Sequence, residues 1–69
     1  MNEIENKLLD LGYKYNFNKT YMFKTIFKPE SKKISATSFY IFKLQAFECE
    51  GDRELIKQLK TEAKHFNVV

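Results

Sequence analysis

From Tyr13 the chain alternates. Tyr13, Tyr15, Phe17, Tyr21, Phe23 and Phe27 hold odd positions, while Lys14, Asn16, Asn18, Thr20, Lys24 and Lys28 hold even ones. A period of two belongs to a β-strand, whose successive side chains point to opposite faces. The pattern predicts a sheet with its aromatic side inward and its polar side outward. Asn16-Phe17-Asn18-Lys19 is where the alternation should break, because asparagine favours turns and bulges. A short strand near 13–16 and a longer one near 20–28 follow. Met22 and Ile26 are apolar exceptions on the even face.

Pro29-Glu30-Ser31-Lys32-Lys33 reads as a turn, since proline donates nothing to a strand ladder. A third strand is expected over 35–48, with helix as the alternative because Phe39, Phe42 and Ala46 share a helical stripe. The Thr37, Phe39, Tyr40, Ile41 and Phe42 content favours strand. Its facing is open. Tyr40, Phe42, Leu44 and Ala46 form one apolar side; Phe39, Ile41 and Phe47 form the other, interrupted by Lys43 and Gln45.

Both flanks read as helices. Residues 2–11 place Ile4, Leu8 and Leu11 on one stripe, with Asn2 and Glu5 as a capping box and Gly12 as the left-handed terminus. Asp52 caps a second helix from Arg53 to Phe66, whose buried stripe is Leu55, Ile56, Leu59, Ala63 and Phe66. The expected fold is one small α+β domain over 1–69: a helix, a two- or three-stranded antiparallel sheet, and a second helix, with both helices on one face of the sheet.

A chain of 69 residues buries little core, and dimerisation is one way to gain buried area. The single cysteine, Cys49, rules out an internal disulfide. No apolar run approaches the roughly 20 residues of a membrane span, and the acidic start is unlike a signal peptide. A reduced, cytoplasmic setting is expected. The abundance of Lys, Asn, Ile and Phe suits an AT-rich genome, bacterial or phage-like. Charge is unevenly spread: net −2 over 1–12, +6 over 13–47 and −1 over 48–69. Such asymmetry bears on partners rather than fold.

Little in the chain suits catalysis. His65, the only histidine, falls in the last turn of the second helix. Cys49 reads as a small apolar residue. Glu48, Glu50 and Asp52 are what a helix N-terminus attracts. Zinc-ligand spacing is lacking, and two glycines are too few for a phosphate-cradling loop. No catalytic residue, metal or cofactor is expected, and the protein reads as non-enzymatic.

Two binding modes follow from the expected sheet. With the aromatic side covered, Met22, Ile26, Phe39 and Ile41 would form an exposed apolar patch for a protein partner or a homodimer. Lys14, Lys24, Lys28 and Lys43, extended by Lys32 and Lys33, would form a basic face for nucleic acid.

The order helix, strands, helix, with Leu8-Leu9-Asp10-Leu11-Gly12-Tyr13-Lys14 at the front, resembles the double-stranded-RNA-binding-like domains and the HicA-type RNase toxins that share this layout. The strand histidine those toxins use is missing, since residues 20–28 are Thr-Tyr-Met-Phe-Lys-Thr-Ile-Phe-Lys. The resemblance therefore implies layout and no activity. The expectation is a small intracellular binding protein that modulates a partner, such as a phage-encoded inhibitor of a host enzyme or defence factor. Direct nucleic-acid binding as a dimer is the alternative.

Overall fold

A computed structural model describes residues 3–65. The expected Asn2 cap, the Phe66 end of the second apolar stripe and the tail Asn67-Val68-Val69 lie outside the described residues. The elements are α1 (Glu3–Asp10), β1 (Lys14–Tyr15), β2 (Tyr21–Lys28), β3 (Ser31–Ile41), β4 (Ala46–Gly51) and α2 (Arg53–His65). The strands form one antiparallel sheet in the order β1-β2-β3-β4. The α+β class holds, with four strands in place of two or three.

The helix ends form as their residues dictate. At the end of α1, Tyr13 N–H donates to Leu8 O (2.9 Å) and Gly12 N–H to Leu9 O (3.0 Å). That pair of bonds is a Schellman closure, and Gly12 supplies its left-handed residue at φ +97°. At the start of α2, Leu55 N–H donates to Asp52 Oδ2 (3.2 Å).

The extra strand comes from a hairpin inside 35–48. Phe42 to Gln45 form a turn, in which Leu44 N–H donates to Ile41 O (3.2 Å) and Gln45 N–H to Phe42 O (3.2 Å). Gln45 takes the left-handed conformation, φ +50°. The chain then returns as β4, pairing Phe47 with Tyr40 and Glu48 with Phe39.

The facing of β2 is the reverse of expectation. Even positions, not odd ones, meet the helices. Met22 is 0% exposed and packs with Leu8, Leu11, Tyr13, Tyr40 and Ala63. Ile26 packs beside Ala36, Leu55 and Leu59. Tyr21, Phe23 and Phe27 project from the other side, and Phe17 lies in the β1–β2 turn. The reason is in β3. Its even residues Ala36 and Ser38 are small and buried, so α2 can approach the sheet closely there. The register Met22↔Tyr40, Lys24↔Ser38, Ile26↔Ala36 then carries the even positions of β2 to the same side. Ser38, 1% exposed, is satisfied because Tyr13 Oη donates to its Oγ at 2.8 Å.

Gly51 pairs with Ala36 at φ +115°, and a Cβ there would lie 2.4 Å from Ser35 O. At Gly12 the nearest atom to an added Cβ is the flexible Lys24 Cε, 3.8 Å away. Gly51→Ala should therefore lose roughly 2–4 kcal/mol by urea denaturation, combining backbone strain with overpacking. Gly12→Ala should lose about 1 kcal/mol, from backbone strain alone. A second expectation concerns alkaline pH. Burial raises the Tyr13 pKa above its ordinary 10.0, so the folded chain keeps a proton that the unfolded chain releases first. Its contribution is full below pH 10.0 and is lost as pH rises through the folded pKa. Tyr13→Phe should flatten the alkaline decline of stability, read from denaturation midpoints across pH 9 to 11, a window of about one unit each side of the ordinary tyrosine pKa.

Candidate interaction surface

Both helices lie against one side of the sheet, and among the described residues nothing packs over the other. Strand register orders that open face into rows. Lys14, Phe23, Phe39 and Glu48 form one row across all four strands. Tyr21, Ile41 and Ala46 lie on one side of it; Thr25, Thr37 and Glu50 lie on the other. Phe27 and Ser35 follow. The aromatic rings support each other edge to face, with Tyr21 5.4 Å from Phe39 and 6.2 Å from Phe23 between centroids. Thr25 and Thr37 share a hydroxyl hydrogen bond of 2.8 Å. Tyr21, Phe23, Phe39 and Ile41 are half-buried, whereas Phe27 is 55% exposed.

The face continues into a tip where two turns meet. Phe42 N–H donates to Thr20 O (3.3 Å), which ties the β3–β4 turn to the β1–β2 turn. Asn16 builds the latter: its Oδ1 accepts from Thr20 N–H (2.8 Å) and Tyr21 N–H (2.9 Å). Its Nδ2 donates to Thr20 Oγ1 (2.9 Å) and also to Asn18 Oδ1. This closure leaves Phe17 98% exposed, and Leu44 in the other turn is 60% exposed. Lys19 and Lys43 are the charged residues of the two turns, and both are exposed. Lys19 Nζ stands 5.6 Å from the centre of the Tyr15 ring. Tyr15 Oη donates to Glu5 Oε1 (2.7 Å), and that bond raises the tyrosine pKa.

The residues singled out from the sequence are divided by this geometry. Met22 and Ile26 lie under the helices and are not surface anchors, because the close α2–β3 packing draws the even positions of β2 inward. Phe39 and Ile41 are on the open face, where Tyr21, Phe23 and Phe27 join them in place of Met22 and Ile26. Those three were hidden by the assumption that the bulkiest alternating residues point inward.

The expected basic face is likewise not assembled. Lys24 Nζ donates to Glu62 Oε1 of α2 at 2.7 Å. Lys28 Nζ lies 3.1 Å from Glu54 Oε2 and 3.9 Å from Asp52 Oδ2, and its hydrogen bond to Glu54 raises its pKa. Both lysines run their aliphatic stems over the helix side and end at acids. Lys14 stays exposed on the open face but shares it with exposed Glu48 and Glu50. Lys32 and Lys33 are exposed at the β2–β3 end, and Lys43 at the opposite one.

For catalysis the described residues offer little. No group of three His, Cys, Asp or Glu among them is placed to hold a metal ion. Cys49 is half-buried beside Ser38 on the helix side, and the alternation turns it away from Glu48 and Glu50. The hollow along the outer side of α2, lined by Glu54, Lys57, Gln58, Thr61, Glu62 and His65, is an open helix surface rather than a cleft. No described helix is long and apolar enough to cross a membrane.

Comparison with protein-family models, curated proteins and solved structures finds no significant match. The RNA-binding layout that the element order resembles therefore gains no support from a relative.

Two substitutions separate the helix side from the open face. Met22→Ala should lose about 2–5 kcal/mol as a buried truncation, while Phe39→Ser should remain folded, both measured by thermal melts. Lys24→Glu sets a carboxylate against Glu62, so it should lower the melting midpoint and leave oligonucleotide binding in fluorescence anisotropy unchanged.

Proposed function

We propose that this protein is a non-enzymatic binding module whose open sheet face, and the tip that continues it, are protein-binding surfaces. The observation that carries this reading is the uncovered apolar face itself. Tyr21, Phe23, Phe39 and Ile41 lie together on it, with Phe27 beyond the Thr25–Thr37 row, and contiguous apolar area left open on a small domain marks an interaction surface. Aromatic side chains contribute large contact area at low entropy cost, which makes them effective anchors.

The tip supplies the chemistry of the heterologous partner. Phe17 and Leu44 are its apolar points, and Lys19 and Lys43 flank them in turns that contain no acid. The complementary surface is an apolar hollow on a protein, rimmed by Asp and Glu. The lysines would steer the encounter and Phe17 would fill the hollow. Modulation of the partner follows if that hollow is one the partner itself uses, as expected of an inhibitor from a phage or mobile element.

Direct nucleic-acid binding is the second reading. Lys14, Lys32, Lys33 and Lys43 remain exposed for it. Against it, Lys24 and Lys28 are engaged by α2, and two glutamates share the face with Lys14.

Phe17→Ser combined with Leu44→Ser tests the first reading. Both side chains are exposed, so stability should change by no more than about 0.5 kcal/mol. Capture from nuclease-treated lysate of the source cells should yield a protein with the wild type that the double variant loses. Retention of the same protein by the double variant removes the tip from the interface. Capture abolished by nuclease, together with oligonucleotide binding lost in Lys14→Glu and Lys43→Glu variants, transfers the function to nucleic acid.

A further inference from the structure

The open face is self-complementary, and we propose that its occupant is a second copy of this chain, packed face to face about a two-fold axis parallel to the strands. This deepens the protein-binding reading, on which it rests, by giving the sheet face to self-association and leaving the tip to the heterologous partner.

The argument begins with the row Lys14–Phe23–Phe39–Glu48. A two-fold axis running along the strands between β2 and β3 exchanges left and right within each row. It sets Lys14 of one copy over Glu48 of the other, and Phe23 over Phe39, twice each. The next row brings Tyr21 over Ile41, and the one beyond brings Thr25 over Thr37. Opposite charges meet at the rim, rings meet at the centre and hydroxyls meet hydroxyls, as an isologous interface requires. The usual small rotation between packed sheets accommodates the twist of both.

Charge also selects this axis over its alternative. A two-fold axis across the strands would stack β1 on β1 and β4 on β4. Glu48 and Glu50 of one copy would then face the same residues of the other, with no cation between them. Along the strands, the acidic β4 edge instead falls over the β1 edge, which carries Lys14.

Size sets the strength. The strands contribute two residues in β1, eight in β2, the eight of β3 paired with them and six in β4, and at about 4.8 by 3.3 Å each the face measures roughly 380 Å². A facing pair then covers roughly 760 Å² in projection, the size of a weak, transient interface. The dimer should dissociate in the upper micromolar range.

Sedimentation equilibrium over a concentration series tests the proposal. The wild type should be a monomer–dimer system. Lys14→Glu and Glu48→Lys each create two like-charge contacts and should each weaken association by about tenfold or more. An equimolar mixture of the two variants restores both oppositely charged contacts, so it should form a one-to-one heterodimer near wild-type strength. Circular dichroism verifies that each variant is folded, and Glu50→Lys with wild-type Lys14 provides a second perturbation on the same rim. A wild type that stays monomeric up to millimolar concentration overturns the proposal, as does a mixture that associates no better than its components. Capture by the wild type separates the two readings. A wild-type dimer that captures no other protein upholds self-association and removes the heterologous partner, whereas a wild-type monomer that captures one, and loses it in the Phe17→Ser, Leu44→Ser variant, does the reverse.

Discussion

Ala36 and Ser38 bring α2 down onto the sheet, and the rest of the molecule is arranged by that contact. Small side chains at consecutive even positions of β3 leave room for Leu55 and Leu59. The strand period then commits Tyr40 to the same side, and antiparallel register commits Met22 and Ile26. Leu8 and Leu11 of α1 close the remaining gap against Met22, Tyr40 and Ala63. With two short helices spent on one side, none of the described chain is left for the other. The open face is thus a direct consequence of where β3 is narrow.

Much of this was legible in the residues, and the failures have identifiable causes. Gly12, Asp52, the asparagine-rich break after Tyr15 and the Pro29 turn carry strong local chemistry, and each ends an element where its chemistry requires. The β3–β4 hairpin was missed because Phe42-Lys43-Leu44-Gln45 contains none of the residues that favour turns, and Gln45 adopts its left-handed backbone without glycine or asparagine. The facing of β2 was missed for a different reason. Alternation fixes that two faces differ, but bulk alone does not say which is buried, and the deciding residues lay on the neighbouring strand. Of the four apolar anchors read from the sequence, Phe39 and Ile41 reach the open face; Met22 and Ile26 do not.

Charge behaves the same way. The positive middle of the chain and its more acidic C-terminal part suggested an external anionic partner. In the fold, much of that contrast is internal. Lys24 meets Glu62, and Lys28 meets Asp52 and Glu54, so lysines on the sheet align the second helix over it. Such partly exposed pairs add little stability singly. Their larger effect is orientational, since they fix which side of α2 is turned toward the lysines of β2.

The β1–β2 turn has a further implication for whatever meets it. Asn16 closes the loop with its own side chain, fixing the backbone of Phe17, Asn18 and Lys19 before any encounter. A ring offered from a loose loop would forfeit main-chain freedom at the moment of contact, and affinity would fall accordingly. Here that freedom is surrendered once, during folding. Phe17 is therefore carried on a backbone already closed by Asn16, and in the proposed interface the shape of the admitting cavity would set the selectivity of the tip.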